Sequence, residues 1–135
     1  MIPVFLDTHV LVWFVEGVDR LGPQSRQKID QAIRANSVRI SAISFWEIAL
    51  LVAKGRLSLS LPLNVWRQAI LAIPIQEISL TGEIGISAVE LKNFHRDPAD
   101  RLITATAMAT NAVLITADHR ILTWVGSVQC QNALQ

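Results

Sequence analysis

Short apolar runs alternate with helix-length segments along this chain, and that alternation limits the fold more than any other feature. Pro3–Leu6, Val38–Ile43, Ile75–Ile78 and Ala112–Thr116 are each the size of a buried strand and rich in Val, Ile and Leu. Ser127–Cys130 reads as a further, edge strand. When a helix separates two strands of one sheet, the crossover brings the chain back to the same end, so the strands run parallel. The expected fold class is therefore α/β, with helices on both faces of a central parallel sheet of four to five strands. No repeat, low-complexity tract or linker interrupts it, and residues 1–135 read as a single domain.

The helical segments carry their own punctuation. After Thr8 and His9 an apolar segment through Val15 reads as a helix ended by Gly17; a polar helix follows Leu21-Gly22-Pro23 and runs to about Ala35, with Ile29, Ala32 and Ile33 on one face. Ser44–Lys54 reads as a helix opened by a Ser44-x-x-Glu47 capping box and closed at Gly55. Leu57–Leu61 is a loop or short ribbon, after which Pro62 starts a helix presenting Trp66, Ile70 and Ile73 on one face. Thr81 caps a helix through Lys92, and Ile121–Trp124 is a short helix or turn. His95–Met108 begins with charges and a proline, then becomes apolar at helical spacing. Asp97 is the expected N-cap, Pro98 the first helical residue, and Asp100 lies at the positive end of the helix dipole in a helix reaching Asn111.

Composition narrows the function. Hydrophobic residues make up 51% and charged residues 17%, an apolar excess that suits a sheet covered on both faces or a surface hidden by a partner. No apolar run approaches the roughly 20 residues that span a bilayer, and Met1-Ile2-Pro3 does not open a signal peptide. Cys130 is the lone cysteine, so an internal disulfide is impossible and a reducing cytoplasm is the expected compartment. A net charge of +1 is far from that of a protein that grips nucleic acid by charge alone.

Four acids stand where such a sheet would gather them. In open parallel sheets, sites form beyond the carboxyl ends of the strands. Asp7 ends the first strand and Asp118 the fourth, while Glu47 and Asp100 lie at the starts of helices beside that edge. Two charges about 4 Å apart cost on the order of 4 kcal/mol at an effective dielectric of about 20. Such a cluster therefore binds protons or a cation. Oxygen-only ligands suit Mg²⁺ or Mn²⁺ rather than zinc. A hard cation held by carboxylates suits phosphate chemistry, because it acidifies a bound water and stabilises a leaving oxygen.

Each position also has an ordinary structural use. Glu47 fits a capping box, Asp97 a cap, and Asp118 a turn; Asp7, directly after a buried strand, is hardest to explain without a partner. Their common edge is what moves the balance toward function. His9, His95 and His119 offer a metal-free alternative in which histidines cleave RNA by acid–base chemistry, or they serve as supporting donors or surface residues. The Trp residues read as core or interface, with Trp46 set apart by its place beside Glu47. Arg96, Arg101 and Arg120 flank the acids and are candidates for RNA phosphate contacts, whereas Lys54 and Arg56 read as solvated. A haloacid-dehalogenase-like phosphoesterase would need Asp two residues after Asp7, where this chain has His9.

Four segments together carry a family resemblance: Phe5-Leu6-Asp7-Thr8-His9, Ile40 to Ala49, His95 to Ile103, and Leu114-Ile115-Thr116-Ala117-Asp118. In order and spacing they resemble the PIN-domain ribonucleases, most of all the VapC-type toxins of prokaryotic toxin–antitoxin pairs. The resemblance implies a three-layer α/β/α PIN-like fold and Mg²⁺- or Mn²⁺-dependent hydrolysis of RNA phosphodiesters. It also implies metal-binding, catalytic acids at Asp7, Glu47, Asp100 and Asp118, supported by the Thr8 and Thr116 hydroxyls, with Asp97 in the local motif. His9 stands where many relatives carry Ser or Asn. The implied partners are the RNA substrate, a cognate antitoxin laid across the site and a second copy of the chain; no membrane is involved. The alternative reading is a PIN-fold binding or regulatory module without catalysis.

Overall fold

The computed structural model describes residues 1–135. Five strands, β1 (Val4–Leu6), β2 (Val38–Ser41), β3 (Ile75–Ile78), β4 (Val113–Thr116) and β5 (Gln129–Asn132), form one sheet in the order β3-β2-β1-β4-β5. Every pairing is parallel, with Val4 opposite both Val38 and Val113. The helices are α1 (Thr8–Glu16), α2 (Pro23–Arg34), α3 (Ala42–Ala53), α4 (Leu63–Ala72), α5 (Gly82–Val89), α6 (Pro98–Ala109) and α7 (His119–Leu122). The α/β reading with a central parallel sheet is borne out, at the upper end of the expected strand number.

Side chains alternate across the strands, so each strand feeds two cores. Val4 and Leu6 of β1 join Ile115 of β4 on one face, where they meet Ile29 and Ala32 of α2, Ile48 of α3, and Trp66 and Ile70 of α4. Phe5 and Leu114 point to the opposite face and pack on Ile103 and Ala107 of α6 and Ile121 of α7. Each fully buried Ile or Leu of this kind contributes about 1.5–3 kcal/mol of burial free energy. Helix α5 packs on α6, where its Ile84 and Ala88 cover Ala105.

Local chemistry sets the element ends. Gly17 (φ 68°) and Asn111 (φ 53°) end α1 and α6 in the left-handed conformation, which Gly and Asn tolerate. Gly22 is needed for a different reason: a Cβ there would lie 2.2 Å from the Gln135 backbone, because residues 132–135 cross the start of α2. The Ser25 N–H donates to the Gln135 carbonyl at 2.9 Å, and the Ser25 hydroxyl to that of Asn132 at 3.0 Å.

Several boundaries differ from expectation. β2 ends at Ser41 rather than Ile43, and α3 begins at Ala42, capped by the Ser41 hydroxyl accepting from the Ile43 N–H at 3.1 Å. The Ser44–Glu47 capping box therefore does not form; both residues lie inside the helix and are free for other contacts. The helix after Thr81 ends at Val89, three residues short of Lys92, and the edge strand lies two residues later than expected.

Candidate active site

The strand order reverses at β1. The chain moves outward from β1 to β2 and β3, then returns to place β4 on the other side of β1. A crevice opens at such a switch point, beyond the carboxyl ends of the two central strands. Asp7 leaves β1 there and caps α1, and Asp118 follows β4 and caps α7. Glu47 reaches in from α3, and Asp97 and Asp100 from the start of α6.

Asp7 is the most enclosed of these acids, 3% exposed. One oxygen accepts from the Thr8 N–H at 2.8 Å and the other from the Thr116 hydroxyl at 2.7 Å. The Thr116 oxygen in turn accepts from the Asp118 N–H at 3.0 Å, so one hydroxyl ties Asp7 to the Asp118 backbone. Thr8 does similar work on the other flank. Its hydroxyl donates to Glu47 Oε1 at 2.5 Å and shares a hydrogen bond with buried Ser44 at 2.9 Å. Ser44, which looked like a cap in the sequence, is thus a buried support for the site.

The acids are not equidistant from one point. Glu47, Asp97 and Asp100 each offer a ligand atom within 4.8 Å of the others, and so do His95, Asp100 and Asp118. Asp100 is common to both groups. Asp7 belongs to neither, but it lines the same hollow of about 230 Å³ as Glu47 and Asp100. The arrangement is a ring of carboxylates around Asp100 rather than four oxygens meeting at one centre. Asp97 caps α6 through the Ala99 and Asp100 N–H groups and also contributes an oxygen to the first group.

Crowding shows in the proton affinities. Burial pushes Glu47 up to about 7; the Thr8 hydrogen bond opposes this, and the charges of Asp7, Asp100 and Asp97 reinforce it. Burial likewise raises Asp100 to about 6, against a hydrogen bond from His95 and with the charges of Asp7, Asp97 and Asp118. Asp118 goes the other way. Burial raises it, but Arg120 outweighs that with side-chain and backbone hydrogen bonds and its charge, leaving Asp118 below the ordinary range. Excess negative charge lined with hard oxygen donors is a setting that a hard divalent cation fits. His95 adds one nitrogen on the Asp118 side.

The histidines divide by contact. His95 Nε2 lies 2.7 Å from Asp100 Oδ2, with its ring stacked on Phe94. His9 Nε2 accepts from the Ala117 N–H at 2.9 Å, which leaves Nδ1 to carry the proton 3.7 Å from Asp7. His9 therefore ties the start of α1 to the segment after β4. Sequence spacing could not assign either contact, because the partners lie on other elements.

The arginines also separate. Arg120 makes a two-pronged contact with Asp118, and Arg96 is exposed. Arg101, expected at the RNA-facing rim, is corrected: its guanidinium turns inward and donates to the carbonyls of His95, Ala88, Leu91 and Phe94. It braces the loop that carries His95, with most of its donors spent on backbone carbonyls. A hollow of about 300 Å³ between α3 and the start of α6 adjoins the site, lined by Trp46, Leu50, Lys54, Arg56 and Asp97. Trp46 is 56% exposed there. A hollow of similar size near Ile2, Met108 and Val128 contains no titratable side chain.

Comparison with known proteins bears on the family and the fold. The family model of the PIN domain matches residues 4–123. Ribonuclease VapC22 of Mycobacterium tuberculosis (strain ATCC 25618 / H37Rv) is 36% identical over 122 residues, covering 90% of this chain and 91% of that protein. Among solved structures, VapBC2 from Rickettsia felis bound to a promoter DNA fragment superposes with a TM-score of 0.70 at 20% identity, over 96% of this chain and 97% of that one. FitAB bound to an IR36 DNA fragment gives 0.66 at 21%, over 98% and 96%. At these identities the two structures speak to the fold.

Proposed function

The chain belongs to the PIN-domain family, and from that premise we propose that it is a Mg²⁺- or Mn²⁺-dependent endoribonuclease, the toxin of a toxin–antitoxin pair. The observation that carries the reading is the ring of carboxylates around Asp100, drawn from α3 and the starts of α6 and α7 and tied to Asp7 by the Thr116 hydroxyl, 109 positions along the chain from it. A divalent ion bound there would supply Lewis-acid charge to an RNA phosphodiester and lower the pKa of a neighbouring water.

The chain's own groups prepare the site. Thr8 and Thr116 hold the Glu47 and Asp7 carboxylates in one orientation, so no rearrangement is needed when charge develops on the phosphate. Asp7, Glu47, Asp100 and Asp118 are the proposed metal-binding, catalytic acids, and Asp97 adds a further oxygen. His95 orients Asp100, and its nitrogen favours Mn²⁺ over Mg²⁺ on that flank. Arg96 and Arg120 lie on the open side and are the proposed phosphate contacts.

The partner reading rests on the surface. One solved structure of this fold, superposing with a TM-score of 0.55 at 21% identity, is a toxin–antitoxin complex from Klebsiella pneumoniae. The groove beside the acids exposes Trp46, Leu50 and Leu51, an apolar strip suited to an antitoxin segment that also covers the site. Ile86 and Val89 of α5 are exposed too and offer a face for a second copy of the chain. No helix is long and apolar enough to cross a membrane, and the proposed place of action is the cytoplasm, with its RNA.

The deciding experiment is cleavage of RNA by purified protein in Mg²⁺ or Mn²⁺, repeated in EDTA and with Asp7→Asn and Asp100→Asn. Loss of about 100-fold or more is expected in both variants while cooperative melting persists. Full activity in either folded variant overturns the reading. EDTA-resistant cleavage with a cyclic-phosphate product would transfer the chemistry to the histidines.

A further inference from the structure

The two triads that share Asp100 differ in one respect. Neither Glu47 nor Asp97 takes part in an ion pair, so the first triad meets His95 and Arg120 only through the shared Asp100. The second triad, His95, Asp100 and Asp118, already holds a cation. Arg120 Nε lies 3.2 Å from Asp118 Oδ1, and Nη2 lies 3.0 Å from Asp118 Oδ2 and 3.5 Å from Asp100 Oδ2. Its guanidinium thus bridges the two carboxylates that bound that side.

The hold is easily released. The Arg120 side chain is 60% exposed, and it hangs from a four-residue helix that begins directly after Asp118. Ion pairs so open to water contribute little, because solvent screens them and a long side chain must be immobilised. A doubly charged ion reaching the same oxygens gains more from both carboxylates than one guanidinium does.

We propose that Arg120 is a built-in counter-ion that occupies one of two adjacent cation positions and yields it to a divalent metal. The inference rests on the metal-dependent reading above and extends it to an order of filling. The Glu47–Asp97–Asp100 position takes the first ion, because Arg120 touches only its shared member, Asp100, and at the longer distance of 3.5 Å. The His95–Asp100–Asp118 position takes the second only as Arg120 is displaced. The freed guanidinium remains tethered beside the site, where it meets the phosphate of bound RNA with the planar donor geometry that suits phosphate oxygens.

The test is titration calorimetry of the full chain with Mn²⁺, for the wild type, Arg120→Gln and Arg120→Lys. Two binding events are expected in the wild type, one tight and one weak. In R120Q the weak event tightens about threefold to tenfold while the tight one, which meets Arg120 only at Asp100, changes less. R120K, with its charge but not its fork, falls between. In the same variants, binding of a 2′-O-methyl RNA oligonucleotide in Mn²⁺ weakens in the order wild type, R120K, R120Q. A weak event unaltered in R120Q, with the tight event intact, overturns the role of Arg120 and leaves the metal reading standing. No Mn²⁺ binding in any folded version overturns both.

Discussion

Glu47 shows how a single side chain can be costly to the fold and useful to the site. Its carboxyl is raised to about 7, so the native state keeps a proton that the unfolded chain releases near pH 4.5. A group whose folded pKa is raised stabilises fully below its unfolded pKa, and that stability is lost as the pH rises through the folded one. Metal-free protein is therefore expected to lose stability between about pH 4.5 and 7, with Asp100, raised to about 6, acting in the same direction. After discounting for solvent screening of a half-buried side chain, the Glu47 share is roughly 1–2 kcal/mol. Thermal melts in EDTA at pH 5 and 7.5 measure it. Glu47→Gln should flatten the difference and raise the melting temperature at pH 7.5, and Mn²⁺ should restore the wild type there. A wild-type melting temperature that rises with pH in EDTA would contradict this account.

Helix α6 joins two jobs in one turn. Asp97 satisfies two free N–H groups while leaving the carboxylate beside Glu47 and Asp100. The jobs can be separated. Asp97→Ala loses cap and charge, and should cost about 0.5–2 kcal/mol of stability along with Mn²⁺ affinity. Asp97→Ser keeps the cap, so its melting temperature should stay near wild type while Mn²⁺ binding in calorimetry still weakens. Equal affinity in D97S and the wild type would reduce Asp97 to a cap alone. One turn further on, Arg101 anchors the stretch from Ala88 to His95 through carbonyl oxygens. Charge-assisted hydrogen bonds of this kind are worth about 1.5–3 kcal/mol each when their acceptors are left without partners. Arg101→Ala should lower the melting temperature by several degrees and loosen His95 from Asp100, seen as faster amide exchange across residues 88–95. Unchanged exchange there would rule out the brace.

Across the whole molecule, the acids sit on one edge because β1 is flanked by strands reached in opposite directions. The same topology leaves α3 with one face in the core through Ile48 and another exposing Trp46 beside the site. If the antitoxin segment lies there, Trp46 is an anchor of the kind that dominates interfaces. Trp46→Ala is expected to weaken antitoxin binding by about 2 kcal/mol or more, roughly 30-fold, with cleavage of RNA by the free protein largely kept. Wild-type affinity in W46A would move the antitoxin to another face.

Elements with local causes were legible in the amino-acid sequence. The apolar runs of β1 and β4, the Asp97–Pro98 start of α6 and the Gly55 stop of α3 depend on neighbours a few residues away, and periodicity and capping chemistry expose them. The acids themselves could be marked as candidates because each adjoins such an element. What side chains touch was decided by tertiary packing alone. Ser44 looks like a cap until β2 ends three residues before it; Arg101 looks like a phosphate contact until backbone carbonyls between Ala88 and His95 are within its reach. His9 meets the Ala117 N–H across 108 positions, and Arg120 bridges Asp118 and Asp100 only because α6 and α7 begin on the same edge. Hydrogen bonds and ion pairs act over about 3 Å, and only the folded sheet brings these distant residues that close.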